Sequence, residues 1–245
     1  MVLLPLAVAV GISLGWDPLT QEIAPTFDVY RAALRDTELR GAFLHSLWLA
    51  VGTVAVALPI GTALGLTLAH LVRRPWRAVG AILLVMIALP HVALGVAFFY
   101  LFVFVIRIQL NTITQLVGHV TVALPFVALI VWTRMLFLDV SYEEHAADLG
   151  APPRWTLTRV VLPLCTPAIV VAATVAFAVS FNELALSRYL CTPHQCQTIT
   201  MLVGRDGGDA PPPAVAIAIL ATGLSAALLA VTLLVTRAVA NRQAR

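Results

Sequence analysis

Six long apolar stretches of this chain contain no Asp, Glu or Arg: residues 1–16, 41–72, 78–106, 108–133, 160–182 and 210–236. A helix needs about 20 consecutive apolar residues to cross a bilayer core, and each of the last five stretches exceeds that. In lipid the backbone must satisfy its own hydrogen bonds, which leaves the α-helix as the form such stretches take. The pattern implies an all-α, polytopic membrane helix bundle with six transmembrane helices, forming a single domain over residues 1–245. Composition agrees, since 11% of residues are charged where a soluble domain carries about a quarter. The first stretch is shorter, reaching about 24 Å at about 1.5 Å per residue. It spans with local thinning, or belongs to a chain whose start is truncated or mis-assigned. A cleaved signal peptide is the rival reading, opposed by the missing basic n-region and a poor small-residue cleavage pattern.

All fifteen basic residues are Arg. Without Lys the chain has no Walker A phosphate loop and no Schiff-base lysine, so it does not bind ATP through a P-loop of its own. A formal net charge of +3 on so apolar a chain is also far from the basic stripe of a nucleic-acid reader. The arginines set orientation. With the N-terminus cytoplasmic, Arg73, Arg74, Arg77, Arg134, Arg154, Arg159, Arg237, Arg242 and Arg245 fall inside and Arg31, Arg35, Arg40, Arg107, Arg188 and Arg205 outside. Nine against six follows the positive-inside rule, in which acids count for little. Pro59, Pro90, Pro125 and Pro167 lie within spans, where neighbouring helices must re-satisfy the freed backbone groups.

Residues 134–159 form the longest segment on the cytoplasmic side in that orientation, and the loop at 139–163 carries order signals. Ser141 is an N-cap candidate with Glu144 at the capping-box position. Glu143 and Glu144 suit the positive end of a helix, and Gly150 is placed to end it in the left-handed conformation. Pro152 and Pro153 suit the first turn of a second helix. The expected product is a helix-turn-helix elbow whose small Ala146 and Ala147 allow close approach of a partner.

The spacing is that of a known motif. Glu144-His145-Ala146-Ala147-Asp148-Leu149-Gly150, nine further residues, then Val160-Val161-Leu162-Pro163 resembles the EAA motif of type I ABC-importer permeases. His145 stands where the motif usually has Ala, and Val160 where it has Ile. Tyr30 to Arg40 followed by Phe43 to Leu47, Leu89-Pro90, Gly118 to Phe126 and Ser180-Phe181-Asn182-Glu183 further resemble the second permease of spermidine/putrescine-type systems. The resemblance implies a multi-pass subunit of a bacterial-type cytoplasmic (inner) membrane, working with a second permease subunit, ATPase subunits beneath the loop and an extracytoplasmic solute-binding protein. It implies that Tyr142, Glu143, Glu144, His145, Ala146, Ala147, Asp148, Gly150, Leu162 and Pro163 make up the ATPase-docking elbow. No cofactor is then expected on this chain, ATP and Mg²⁺ being used by the partner. The physics agrees, because an ordered elbow joined to two spans can turn closure of a partner into helix tilting.

Glu183 heads the substrate-path candidates, since a carboxylate in a bilayer is costly and is usually buried against a partner or a water-filled cavity. Its rival role is an interfacial acid beside Arg188. Asn182 and Ser180 share its helix end, and His91 follows Pro90 midway along a charge-free span. Polyamine-type permeases commonly carry acids at the positions of His91, Asn182 and Glu183. Here Glu183 alone is acidic, which weakens a polycation and keeps thiamine, phosphonate or iron-complex solutes open. His45, His70 and His119 show no metal-ligand spacing. Cys191 and Cys196 lie in a loop on the oxidising side, where a disulfide, free thiols and, with His194, a weak metal site are the alternatives in that order. Cys165 reads as a small apolar packer.

Two rival classes remain on the residues alone. Gly11-Ile12-Ser13-Leu14-Gly15 matches a Gly-x-Ser-x-Gly nucleophile pattern, which would suit an intramembrane enzyme if it sat on a strand-to-helix turn. A channel or structural subunit would not need a capped elbow.

Overall fold

The structure, a computed structural model, describes residues 3–14, 16, 27–71, 76–139, 141–192, 196–204 and 212–243. Arg73, Arg74, Arg205, Arg245, Gly15 and His194 lie outside the described residues. Among those described there is no strand. The helices are α1 (Leu3–Ser13), α2 (Asp28–Arg35), α3 (Thr37–Leu71), α4 (Trp76–Ala88), α5 (His91–Tyr100), α6 (Thr112–Leu136), α7 (Ser141–Asp148), α8 (Pro153–Thr156), α9 (Leu162–Phe181), α10 (Ala185–Leu190), α11 (Ile199–Val203) and α12 (Pro212–Gln243), with π-helical turns at Leu101–Ile106 and Leu157–Val161.

Among the described residues four helical runs are long and apolar enough to cross a membrane: Thr37–His70, Thr112–Leu136, Pro153–Phe181 and Pro212–Arg237. The expected span over 78–106 is broken instead. Ala78–Ala88 and His91–Ile106 meet at 83°, because Pro90 takes an extended conformation and denies the helix a donor. Counting that pair as one gives five. The stretch at residues 1–16 yields only α1, whose 11 residues rise about 16 Å, short of a bilayer core.

The chain folds as two compact units, residues 1–52, 90–119 and 178–227 in the first and residues 53–89, 120–177 and 228–245 in the second. The second unit is held by small residues. Ala57, Ala123, Val127, Ala172 and Ala176 are buried together, and Gly65 lets two backbones meet, since a Cβ there would lie 2.7 Å from the Ala128 carbonyl oxygen. Lipid tails are as apolar as leucine, so van der Waals packing of such close helices, rather than escape from water, holds a membrane bundle. A second cluster of Leu66, Val131, Val161 and Cys165 fastens the start of α9. Arg134 donates from its guanidinium to the Leu164 carbonyl at 3.2 and 3.3 Å.

In the first unit the apolar contacts are supplemented by polar ties across long sequence separations. Ser46 Oγ accepts the Ile199 N–H at 2.9 Å, His45 Nε2–H donates to Gln115 Oε1 at 3.0 Å, and Phe43 meets Phe181 edge to face with centroids 5.8 Å apart.

Candidate functional site

Two constellations emerge, one in each unit. The elbow in the second unit is built by local chemistry. Asp139 Oδ1 accepts the Ser141 N–H at 2.9 Å and its carbonyl the Tyr142 N–H at 3.3 Å, so α7 is capped by Asp139, and Ser141 is its first residue. This corrects the Ser141–Glu144 capping box, for Asp139 already holds the donor that box would have used, and Glu144 is exposed. The hydrogen bonds from the Ser141 N–H and hydroxyl hold the Asp139 carboxyl below the usual carboxylate range.

Gly150 ends α7 as the spacing indicates, with φ +78°. Its N–H donates to the Ala147 carbonyl at 2.8 Å and the Ala151 N–H to the Ala146 carbonyl at 3.0 Å, the paired bonds of a Schellman turn. Pro152 is extended and Pro153 opens α8, which continues through the π-turn into α9 as one helical run to Phe181. Leu162 packs against the cluster at the start of α9, and Pro163 lines a groove with Thr166, Pro167 and Val170 opposite Val235 and Thr236.

Of α7, Ala146 is buried while Tyr142, Glu144, His145, Ala147 and Asp148 are exposed. Glu143 reaches back to α3, its Oε2 3.7 Å from His70 Nδ1. A cleft of about 530 Å³ opens on the elbow between Tyr142, His145, Leu149, Gly150, Trp155 and Val160. Leu149 stands 88% exposed at its tip.

The first unit clamps the short helix α10 between α5 and α6. Glu183 is buried, with Oε2 2.6 Å from His91 Nδ1. Oε1 accepts the Leu186 N–H at 3.1 Å, while the Glu183 carbonyl accepts the hydroxyls of Ser187 and Thr200, each at 3.1 Å. A carboxylate at this depth is tolerated because it has a partner and a helix N-terminus to accept from. Arg188 donates to the Gly204 carbonyl. Of the expected path residues the structure therefore brings His91 and Glu183 together. Ser180 belongs to a neighbouring tie, and Asn182 is exposed with its amide donating to the Ala178 carbonyl at 2.8 Å.

That tie is centred on His119, whose Nδ1 lies 2.9 Å from Ser180 Oγ and Nε2 3.0 Å from Ser187 Oγ. Since Ser187 donates to the Glu183 carbonyl, Nε2–H is the donor to Ser187. Thr114 adds a bond to the Leu190 carbonyl at 3.1 Å. A Cβ on Gly118 would lie 2.4 Å from Leu190 Cδ1, and one on Gly95 2.7 Å from Tyr189 Cδ2, so α10 sits almost against the backbones of α5 and α6. His119, Ser187 and Thr114 escaped the sequence reading, which weighed His119 only as a metal ligand. The signal was present, because a histidine inside a charge-free span needs a hydrogen-bonding partner.

Cys191 and Cys196 are paired, with Cα atoms 5.6 Å apart. Ser13 lies at the end of α1, bonded to the Val10 carbonyl at 2.7 Å and the Tyr30 hydroxyl at 2.8 Å, with none of the strand-to-helix turn a Gly-x-Ser-x-Gly nucleophile requires.

Comparison with known proteins places this architecture. The chain is 30% identical over 164 residues to the spermidine/putrescine transport system permease protein PotC of Escherichia coli K12, covering 67% of this chain and 62% of that one. It is 29% identical over 180 residues to the putrescine transport system permease protein PotI of the same strain, covering 71% and 64%. The match thus spans just under two thirds of these relatives, which are transport permeases rather than enzymes. A bacterial ABC transporter involved in the import of the acidic polysaccharide alginate shares the fold, with a TM-score of 0.74 at 15% identity over 95% of this chain and 89% of that one. The family model for binding-protein-dependent transport system inner membrane components matches residues 57–243, and the chain belongs to that family of multi-pass inner-membrane proteins.

Proposed function

We propose that this chain is the membrane-spanning permease subunit of an ATP-driven solute importer, lining part of the translocation path and docking an ATPase through the elbow at 139–163. The observation that carries the reading is the Gly150-terminated helix α7, set at the EAA spacing on a helix continuous with a span. It acts with a second permease subunit and an extracytoplasmic solute-binding protein, and ATP and Mg²⁺ are handled by the partner ATPase. Residues 1–16 and the broken pair α4–α5 complete six crossings, with the N-terminus cytoplasmic. The solute is a polyamine or a related small molecule such as thiamine, a phosphonate or an iron complex. A disulfide between Cys191 and Cys196 pins the loop after α10.

The polar, capped elbow supports docking over a channel role. The exposed Leu149 and the cleft beside it offer a ridge and a hollow to a partner, while Ala146 and the Glu143–His70 contact fix α7 to its own unit. Uptake and ATP hydrolysis by the reconstituted complex test it. Glu144→Ala and Gly150→Pro should uncouple hydrolysis from uptake, or release the ATPase, while the permease still inserts. Unchanged solute-stimulated uptake in both variants would sink the docking role.

A further inference from the structure

The second unit holds a hollow of about 900 Å³ between α3, the elbow and the start of α9, sharing only Ala151 with the cleft on the elbow. Its walls are apolar, with Leu58 and Leu66 on α3, Leu157 and Val161 on the π-turn, and Leu162 and Ile169 on α9. The hydroxyls among them are spent locally. Thr67 donates to the Ala63 carbonyl at 2.7 Å and Thr156 to the Pro152 carbonyl at 3.5 Å, while Thr62 Oγ1 is buried. An ordered water needs about two to four polar partners, and these walls supply few. Hydrocarbon suits the slot instead, because apolar walls left unfilled forfeit their dispersion contacts.

Length and polarity define that hydrocarbon. From Leu58 to His70 the α3 wall rises about 18 Å at about 1.5 Å per residue, against about 15 Å for one leaflet of a bilayer core. The slot is about as long as one lipid chain is deep. It ends at His70, where the α3 span also ends, and there the lining turns polar. Glu143 Oε2 lies 3.7 Å from His70 Nδ1, beyond hydrogen-bond reach, so the carboxylate keeps its acceptors for another donor. Arg154 is exposed next to the wall residue Pro153. Trp155 follows, half exposed, as an aromatic of the kind that sits at headgroup level. A carboxylate and a guanidinium beside one slot complement a zwitterion in which an ammonium and a phosphate lie close together. A phosphodiester lacking the amine meets Glu143 as a like charge.

We propose that this slot binds an acyl chain of phosphatidylethanolamine, with the lipid's ammonium on Glu143 and its phosphate on Arg154, so that a lipid is wedged between α3 and the elbow. Such a site requires only that α3 and the run from Pro153 to Phe181 cross the bilayer, whatever solute the chain serves.

Native mass spectrometry tests the site on the full chain, with the subunits that accompany it, after reconstitution in vesicles of equal palmitoyl-oleoyl phosphatidylethanolamine and phosphatidylglycerol. Wild type should retain the first lipid over the second at least about tenfold, the order of one charge-assisted hydrogen bond. Glu143→Gln should erase that preference and Glu143→Lys should invert it. Ala63→Trp, at an exposed wall position, should fill the slot and carry one lipid fewer than wild type. Thr67→Phe blocks a second exposed wall position and replaces it if the tryptophan lowers the yield. Equal retention of the two lipids by wild type, retention of neither, or a lipid count undiminished by an assembled blocking variant would overturn the site. Cross-linking of Ala63→Cys to an accompanying subunit would overturn it too, by placing protein in the slot.

Discussion

The elbow of the second unit and the clamp on α10 in the first are both short helices fixed by hydrogen bonds and a glycine, but the reach of their contacts differs. At the elbow the bonds run between neighbours, Asp139 to Ser141 and Ala151 to Ala146, and much of the outer surface of α7 is left exposed. At the clamp they join residues far apart in the chain, His91 to Glu183 and His119 to Ser187, and Glu183, His119, Leu186, Ser187 and Leu190 are buried. A locally built element keeps its shape when its surroundings move, which suits a part that meets a separate partner. An element held by distant side chains registers any shift in the helices around it, which suits a part that must change state.

The largest effect should follow removal of the clamp's centre. His119→Ala leaves Ser180 and Ser187 without their imidazole partner and opens a cavity, a loss of about 2–4 kcal/mol. Thermal unfolding of the purified protein in detergent should show it, with faster amide exchange in α10 and none in α7. Equal acceleration in both would dissolve the distinction between the two regions.

Next comes the covalent tie. Reduction of Cys191–Cys196, or replacement of both by Ser, should lower stability by on the order of 2 kcal/mol for so short a loop, with the loss confined to the first unit. Alkylation followed by mass measurement checks the premise, and complete labelling of both thiols without a reductant would reject the bond.

The two glycines sharpen the comparison further. Gly150→Ala meets no atom within 4 Å but must hold φ near +78°, a conformational penalty of about 1–2 kcal/mol. Gly118→Ala suffers instead from crowding against Leu190, also about 1–2 kcal/mol. Trimming Leu190 to Ala should relieve Gly118→Ala, whereas shaving neighbours of Gly150 should leave its penalty unchanged. A double-mutant cycle on each pair distinguishes these causes.

The smallest effect belongs to Asp139. Because its folded carboxyl titrates below the usual range, its stabilisation of α7 is present at neutral pH and lost as pH falls through that depressed value. Exchange protection at Ser141 should decline on acidification in wild type and stay flat in Asp139→Asn.

The same difference in reach explains what was legible in the sequence. Gly150 and Pro153 act on backbone within a few residues of themselves, so the elbow could be read almost complete, down to the left-handed turn. Its start was misjudged because Asp139 and Ser141 are both capping types and only geometry decides which one accepts. Hydropathy located the spans, yet it is blind to direction, and the bend at Pro90 passed as a continuous helix. Glu183 and His91 were singled out separately for their cost in lipid, but their union depends on α5 approaching α10 closely enough for Gly95 to touch Tyr189. No local pattern encodes that approach, and Asn182 was grouped with them by adjacency although the chain turns it outward.

The helical run from Pro153 to Phe181 carries prolines at 163 and 167 just beyond its π-turn. Neither offers an N–H, so the carbonyls of Arg159 and Pro163 lose the donors that an unbroken helix would supply. Positions four apart lie on one face, which places both missing rungs along a single stripe. Compliance in this rod is therefore anisotropic. It yields to bending in the plane containing that stripe and stays stiff across it, so under the docking role proposed above a push at the elbow would become motion along a direction set by two imino acids.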